Sequence, residues 1–141
     1  YPGSGDSPLV DGIIASTNHH DGRWQGFTGG DVVLTMDLGA ERPLHELSLG
    51  CLRHSAAWIL LPSAVTFALS RDGREFTALS ATEEQYDPQD MTRRRVAFSA
   101  DAQGMRARYL RVRCDARTVL PDGHPAAGRD AWLFLDEISV R

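Results

Sequence analysis

The sequence predicts an all-β protein, an antiparallel β-sandwich of about eight short strands. Three observations predict it. Apolar and polar residues alternate with period two along much of the chain. No window sustains the i, i+3, i+4, i+7 apolar stripe of a long helix. The alternating runs are separated by clusters rich in Gly, Pro and Asp, which end strands and build turns.

In chain order, Val32, Leu34, Met36 and Leu38 alternate with Val33, Thr35 and Asp37 until Gly39 interrupts, as in a strand with one buried face. Leu47, Leu49 and Cys51 alternate with Glu46, Ser48 and Gly50 in the same way. Val65, Phe67 and Leu69 form the next inward set. Ser70-Arg71-Asp72-Gly73 follows as a tight turn, in which Asp72-Gly73 would supply the positive φ angles of a hairpin. Residues 76–79 would return, and Val96 with Phe98, then Leu110, Val112 and Cys114, then Trp132, Phe134, Ile138 and Val140, give three further strands. The acidic stretch 82–91 has few apolar anchors and reads as a solvated connection.

A chain of 141 residues, 42% hydrophobic, fits one domain able to bury its own core. Residues 9–141 are read as that domain, and the turn-rich Tyr1–Pro8 segment as a linker remnant of a longer polypeptide. Fifteen basic residues against 19 acidic ones give a net charge of −4, which argues against a phosphate-backbone partner. All the basic residues are Arg, read here as coding bias rather than anion recognition. No run approaches the roughly 20 apolar residues of a membrane helix. Cys51 and Cys114 leave two readings open, a pair of buried thiols or a single bridge.

The familiar catalytic frames are missing: no G-x-S-x-G elbow, H-E-x-x-H, P-loop or G-x-G-x-x-G after a strand. His19 and His20 are adjacent, so in an extended loop they would point apart instead of converging on a metal. Asp136 and Glu137 would face opposite sides of a strand and could not flank one scissile bond. The chain is therefore not expected to be an enzyme.

Function is expected in three loops, 11–30, 53–62 and 115–131, which concentrate Gly, Pro, His, Trp and Asp. The first combines oxygen ligands, turn glycines and Trp24, a mixture that suits Ca²⁺ and a sugar. Asp11, Asp21 and the carbonyls near Leu9 and Ile13 are candidate calcium ligands; Asp11-Gly12 and Asp21-Gly22 can equally be plain turn signals. Aromatic rings stack on the apolar faces of pyranoses while His, Arg and Asp bind hydroxyls. On strand phase Trp132 reads as core, Trp58 as half core and half loop support, and Trp24 as either a sugar platform or a loop anchor. By chemistry and loop placement, His19, Asp21, Trp24, Arg53, His54, Asp122 and His124 form the candidate ligand-binding set. The last two stand on a turn stiffened by Pro121 and Pro125.

Leu9-Val10-Asp11-Gly12, the Trp24 loop, Ser70-Arg71-Asp72-Gly73 followed by Phe76, Arg108-Tyr109-Leu110-Arg111-Val112 and Leu135-Asp136-Glu137-Ile138 occur in the order of discoidin (coagulation factor V/VIII type C) domains. The chain thus resembles that group and the family 32 carbohydrate-binding modules over nearly its whole length. Asp21-Gly22-Arg23-Trp24-Gln25-Gly26-Phe27, Trp58-Ile59-Leu60-Leu61-Pro62 and the run from His124 to Phe134 are similar to the C-terminal domain attached to family 20 β-hexosaminidases of gut Bacteroidetes. The resemblance implies a jelly-roll, galactose-binding-like sandwich, a structural Ca²⁺, and terminal sugars such as galactose or N-acetylhexosamine bound by loops at one end. It further implies an accessory domain of a secreted or periplasmic glycoside hydrolase, with that enzyme's catalytic domain as a partner. Asp11 matches the family's ligating Asp and Glu137 the Glu that closes the calcium site, but residues 13–20 lengthen the loop, so the intermediate ligands do not transfer.

A rival reading is an interaction module whose loops pack on a catalytic domain or protein partner. An open cleft lined by Trp24, His19 and His124 favours sugar; their burial under their own loops favours packing. Phospholipid binding fits less well, because the loop tips lack paired Leu, Phe and Lys suited to an anionic membrane.

Overall fold

A computed structural model describes Leu9, Val10, Gly12 and residues 14–141; the expected linker remnant at residues 1–8 and the calcium candidate Asp11 lie outside the described residues. Among the described residues six strands form: β1 (Gln25–Thr28), β2 (Val32–Arg53), β3 (Ala64–Ser70), β4 (Thr77–Ser80), β5 (Arg94–Asp115) and β6 (Trp132–Val140). All their pairings are antiparallel, in the order β1-β6-β2-β5-β3-β4.

Two of these strands must bend. A straight strand of 22 residues, the length of both β2 and β5, would run about 70 Å, several times the ~14 Å radius of gyration of a globule this size. The bend is visible as register shifts in β2 between Asp37 and Arg42 and between Leu44 and Glu46. Gly39 turns the chain there at φ +87°, while on β5 Gln103 and Gly104 both take positive φ. The Asp37 carboxylate clamps the turn, accepting the Gly39 amide at 2.8 Å and both arms of the Arg108 guanidinium at 2.8 and 2.9 Å. Those bonds hold its carboxyl at about 2.

Each long strand therefore serves both layers. One layer holds β1, β6, the second half of β2 and the first half of β5; the other holds the first half of β2, the second half of β5, β3 and β4. Counted by layer, the expected eight strands are present, and Gly39 marks a bend where the alternation reads as an end. Between the layers, Leu47, Leu49 and Cys51 meet Val65, Phe67, Leu110, Val112 and Cys114 in one core. Both cysteines are free thiols, and burial pushes the Cys114 thiol up to about 12.

The turn after β3 differs from the expected tight hairpin. Only Gly73 takes a positive φ, and six residues separate β3 from β4. Asp72 instead accepts the amides of Arg74 and Glu75, which draws its carboxyl down to about 2.

On the outer face of the first layer, Asp136 is fully buried and forms a bidentate pair with Arg95 at 2.6 and 3.1 Å. It also accepts the Ala15 amide at 3.0 Å and the Glu137 amide at 2.6 Å. The two strands carrying this pair flank Gly50 of β2, and a Cβ there would fall inside both Asp136 Oδ1 and Arg95 Nη2. Gly50→Ala is expected to break the pair and lower stability by about 3–5 kcal/mol, the cost of stranding a buried charge. Chemical denaturation measures it; an unchanged midpoint would show that the pair is dispensable.

Candidate functional site

The first loop does not stand free at the rim. Ala15 and Trp24 lie on the outer face of the first layer, closing a second apolar cluster with Leu52, Ile59 and Phe134. Trp24 is 1% exposed and its indole N–H donates to the Ser16 carbonyl at 2.9 Å. It has no ring face open to a sugar and is the loop anchor. A third cluster joins the other two loops through Leu60, Leu120 and Ala131. All three loops thus gather around residues 52–60 at one end of the sandwich.

The second loop is the hub of that end. Its 3₁₀ turn, Ser55–Ala57, ends on Trp58, which takes a left-handed φ of +67° that is unusual for a bulky residue. The Trp58 carbonyl accepts the Trp132 amide at 2.7 Å, which fixes the strained backbone from β6. The residue as a whole remains 38% exposed. The Ser55 carbonyl accepts both the Trp58 amide at 2.9 Å and a bond of 2.8 Å from the His124 ring. His124 Nδ1 accepts the Ala126 amide at 2.9 Å, so Nε2 carries the proton and donates. His124 is buried and acts as a strut between the second and third loops, not as an open sugar ligand.

The remaining candidates do not form one constellation. His19 and His54 come together, with ring centroids 5.4 Å apart, and His20 joins them at 3.8 Å from His19. The expectation that His19 and His20 point apart fails because residues 18–21 form a turn, closed by the Asp21 amide donating to the Asn18 carbonyl at 3.1 Å. Arg53 faces away from this cluster, donating to the Thr92 carbonyl at 2.9 Å and pairing with Asp90 at 3.1 Å. It lines a crevice with Leu61, Pro62, Tyr86 and Arg117, the guanidinium of Arg117 lying 3.7 Å from the Tyr86 ring centroid. The stretch expected to be a plain solvated connection supplies one wall of it. Asp122 is exposed at the tip of the third loop.

Asp21 is committed locally. Its Oδ2 accepts the Ser16 amide and hydroxyl at 2.9 and 2.7 Å, and Oδ1 the Arg23 amide at 2.9 Å. Burial raises its carboxyl, but these bonds outweigh that and hold it below the usual range. Glu137 is buried, and its Oε1 accepts the Gly12 amide at 3.0 Å where the Ile138 amide donates to the Leu9 carbonyl. Among the described residues no three metal-ligating side chains come together, and Asp11, the third residue of the expected calcium set, lies outside them.

Burial, then the charges of His20, His54 and Arg93, lowers the His19 imidazole; burial, then Arg93, lowers that of His54. Both rings bind fewer protons folded than unfolded, so stability is full above the unfolded value near 6.5 and falls as pH drops through their lower folded values. A midpoint lower at pH 5 than at pH 7.5, with a smaller difference in His54→Gln, is expected in thermal denaturation. An unchanged pH dependence in that variant would refute the assignment. Trp24→Ala is expected to cost about 3–5 kcal/mol as a cavity in the second cluster. Trp58→Gly relieves a left-handed residue and is expected to leave stability unchanged or higher.

No family model and no curated protein sequence matches the chain. Solved structures do. A CBM32 module of Clostridium perfringens, CpGH89CBM32-6, superposes with a TM-score of 0.59 at 15% identity, over 96% of this chain and 82% of its own. The CBM32 of AlyQ, in complex with 4,5-unsaturated mannuronic acid, gives 0.49 at 14% identity, over 96% and 84%. The C-terminal domain of a chitobiase from Bacteroides fragilis gives 0.45 at 20% identity, over 79% and 62%. The first of these establishes the architecture: the chain has the β-sandwich fold of a family 32 carbohydrate-binding module, the discoidin-like fold its motifs resemble.

Proposed function

We propose that the chain is a non-catalytic carbohydrate-binding module that holds a larger glycoside hydrolase, β-hexosaminidase-like, near its substrate. The observation that supports it most is the convergence of all three polar loops around residues 52–60, on a fold used by carbohydrate-binding modules. At that end Trp58 offers a partly open ring for the apolar face of a sugar, and His19, His20, His54 and Asp122 offer hydrogen-bonding groups for its hydroxyls. The ligand class is a terminal sugar such as galactose or N-acetylhexosamine, and the setting is secreted or periplasmic. Millimolar to high-micromolar affinity suits so shallow and polar a site, and avidity in the parent enzyme would make it sufficient.

The burial of Trp24 and His124 under their own loops favours the second reading, an interaction module without a sugar site. Titration calorimetry with galactose, N-acetylglucosamine and N-acetylgalactosamine separates the two. Binding by at least one sugar is expected, weakened roughly tenfold in Trp58→Gly, the loss of about 1.4 kcal/mol of stacking. Silence across all three would favour the interaction module.

Calcium belongs to this proposal through Glu137, beside which Leu9 and Gly12 are bonded to β6, with Asp11 and backbone carbonyls as the candidate remaining oxygen donors. Its role would be to pin that segment to β6. Saturating Ca²⁺ at about 100 times its dissociation constant is expected to add about 2.7 kcal/mol of stability, removed by chelator and by Glu137→Gln. A melting temperature indifferent to Ca²⁺ and chelator would exclude the ion.

A further inference from the structure

The segment between β4 and β5 is fastened to the domain by side chains alone. Up to Thr82 the backbone still joins the sheets, the Ala81 amide donating to the Val65 carbonyl at 3.1 Å and the Thr82 amide to the Ser99 carbonyl at 2.8 Å. From there to the start of β5 at Arg94, no backbone–backbone hydrogen bond ties residues 83–93 to the body among the described residues. The amides of Gln89, Asp90 and Thr92 bond to Asp87 and Asp90, within the segment itself. Arginines hold it instead. Arg53 pairs with Asp90 at 3.1 Å and donates to the Thr92 carbonyl at 2.9 Å, Arg94 pairs with Glu84, and the Arg117 guanidinium lies 3.7 Å from the Tyr86 ring centroid. The crevice between this segment and the body is floored by Leu60, Leu61 and Pro62, all buried.

Two of these fastenings also belong to the loop end. Arg117 donates to the Leu61 carbonyl at 3.4 Å, joining the third loop to the second. Arg53 directly precedes His54, whose amide and carbonyl are both bonded to Ile59, at 3.0 and 3.1 Å.

We propose that residues 83–91 form a strap, hinged at Thr82 and Thr92, which opens as a unit while the sandwich stays folded, and that its arginine clasps set the rigidity of the second loop. A segment without ladder bonds and with little apolar burial lies at the low end of local stability. Each exposed ion pair shifts such an equilibrium by only about two- to fivefold and weakens as salt shortens the Debye length. Ionic strength is therefore the control: salt opens the strap and loosens the second loop, whatever that end of the molecule binds.

Chymotrypsin, which cuts after Tyr86, reads the open population on the intact chain, because cleavage of a transiently opened segment follows its opening. Raising salt from about 0.05 to about 0.5 M is expected to speed that cut about threefold relative to a free peptide of the same sequence. Glu84→Gln and Asp90→Asn, both on the strap itself, should each speed it by about the same factor at low salt and leave a smaller salt effect. Hydrogen exchange of the Ile59 and Leu60 amides should rise alongside, while exchange in the ladder of β2 and β5 holds steady. A cut no faster in salt or in either variant would overturn the strap, as would one that keeps pace with exchange in the ladder, the mark of whole-domain unfolding. A faster cut with unchanged exchange at Ile59 and Leu60 would overturn its tie to the second loop.

Discussion

The buried carboxylate of Asp136 is the group on which the arrangement of the loop end depends. A charge with no exposure to water is stable only when every lone pair is used, and here Arg95, Ala15 and the Glu137 amide use them. The Ala15 bond matters most for function, since it ties the first loop to the outer face of the first layer. Trp24 then has a surface to close on, Phe134 and Leu52 become buried, and His19 is delivered to His54. The empty side of Gly50 makes room for this chain of events.

Rigidity at that end comes from polar struts as much as from apolar packing. His124, bonded through both ring nitrogens, connects the third loop to the Ser55 carbonyl, and the same carbonyl caps Trp58. A left-handed tryptophan persists only where its surroundings over-determine it. Loops held this way have little conformational entropy left to lose.

Much of the fold was legible in the sequence because strand faces follow a period the pleat imposes locally. Leu47, Leu49 and Cys51, and Leu110, Val112 and Cys114, point inward as their alternation indicates. The continuity of β2 through Gly39 was not legible, since a bend and an end use the same residue and only the partner strand distinguishes them. Trp24 could be read as platform or anchor for a related reason: the side chains that cover it, Leu52, Ile59 and Phe134, are distant in sequence. The loops themselves were marked by composition, but Trp58 was not singled out for a site. Trp58 sits beside an apolar run that reads as core.

The ladder between β2 and β5 also constrains how the molecule assembles. Its rungs span sequence separations that double from the Arg53/Arg94 end to the Val32/Cys114 end. Loop-closure entropy favours the nearer rung by about 0.6 kcal/mol per doubling, so pairing is expected to start there and zip toward the bend. The nucleus of folding and the surface proposed to receive a glycan would then be neighbours. Substitutions in that region would alter refolding rates as well as recognition, and kinetic traces could report on both.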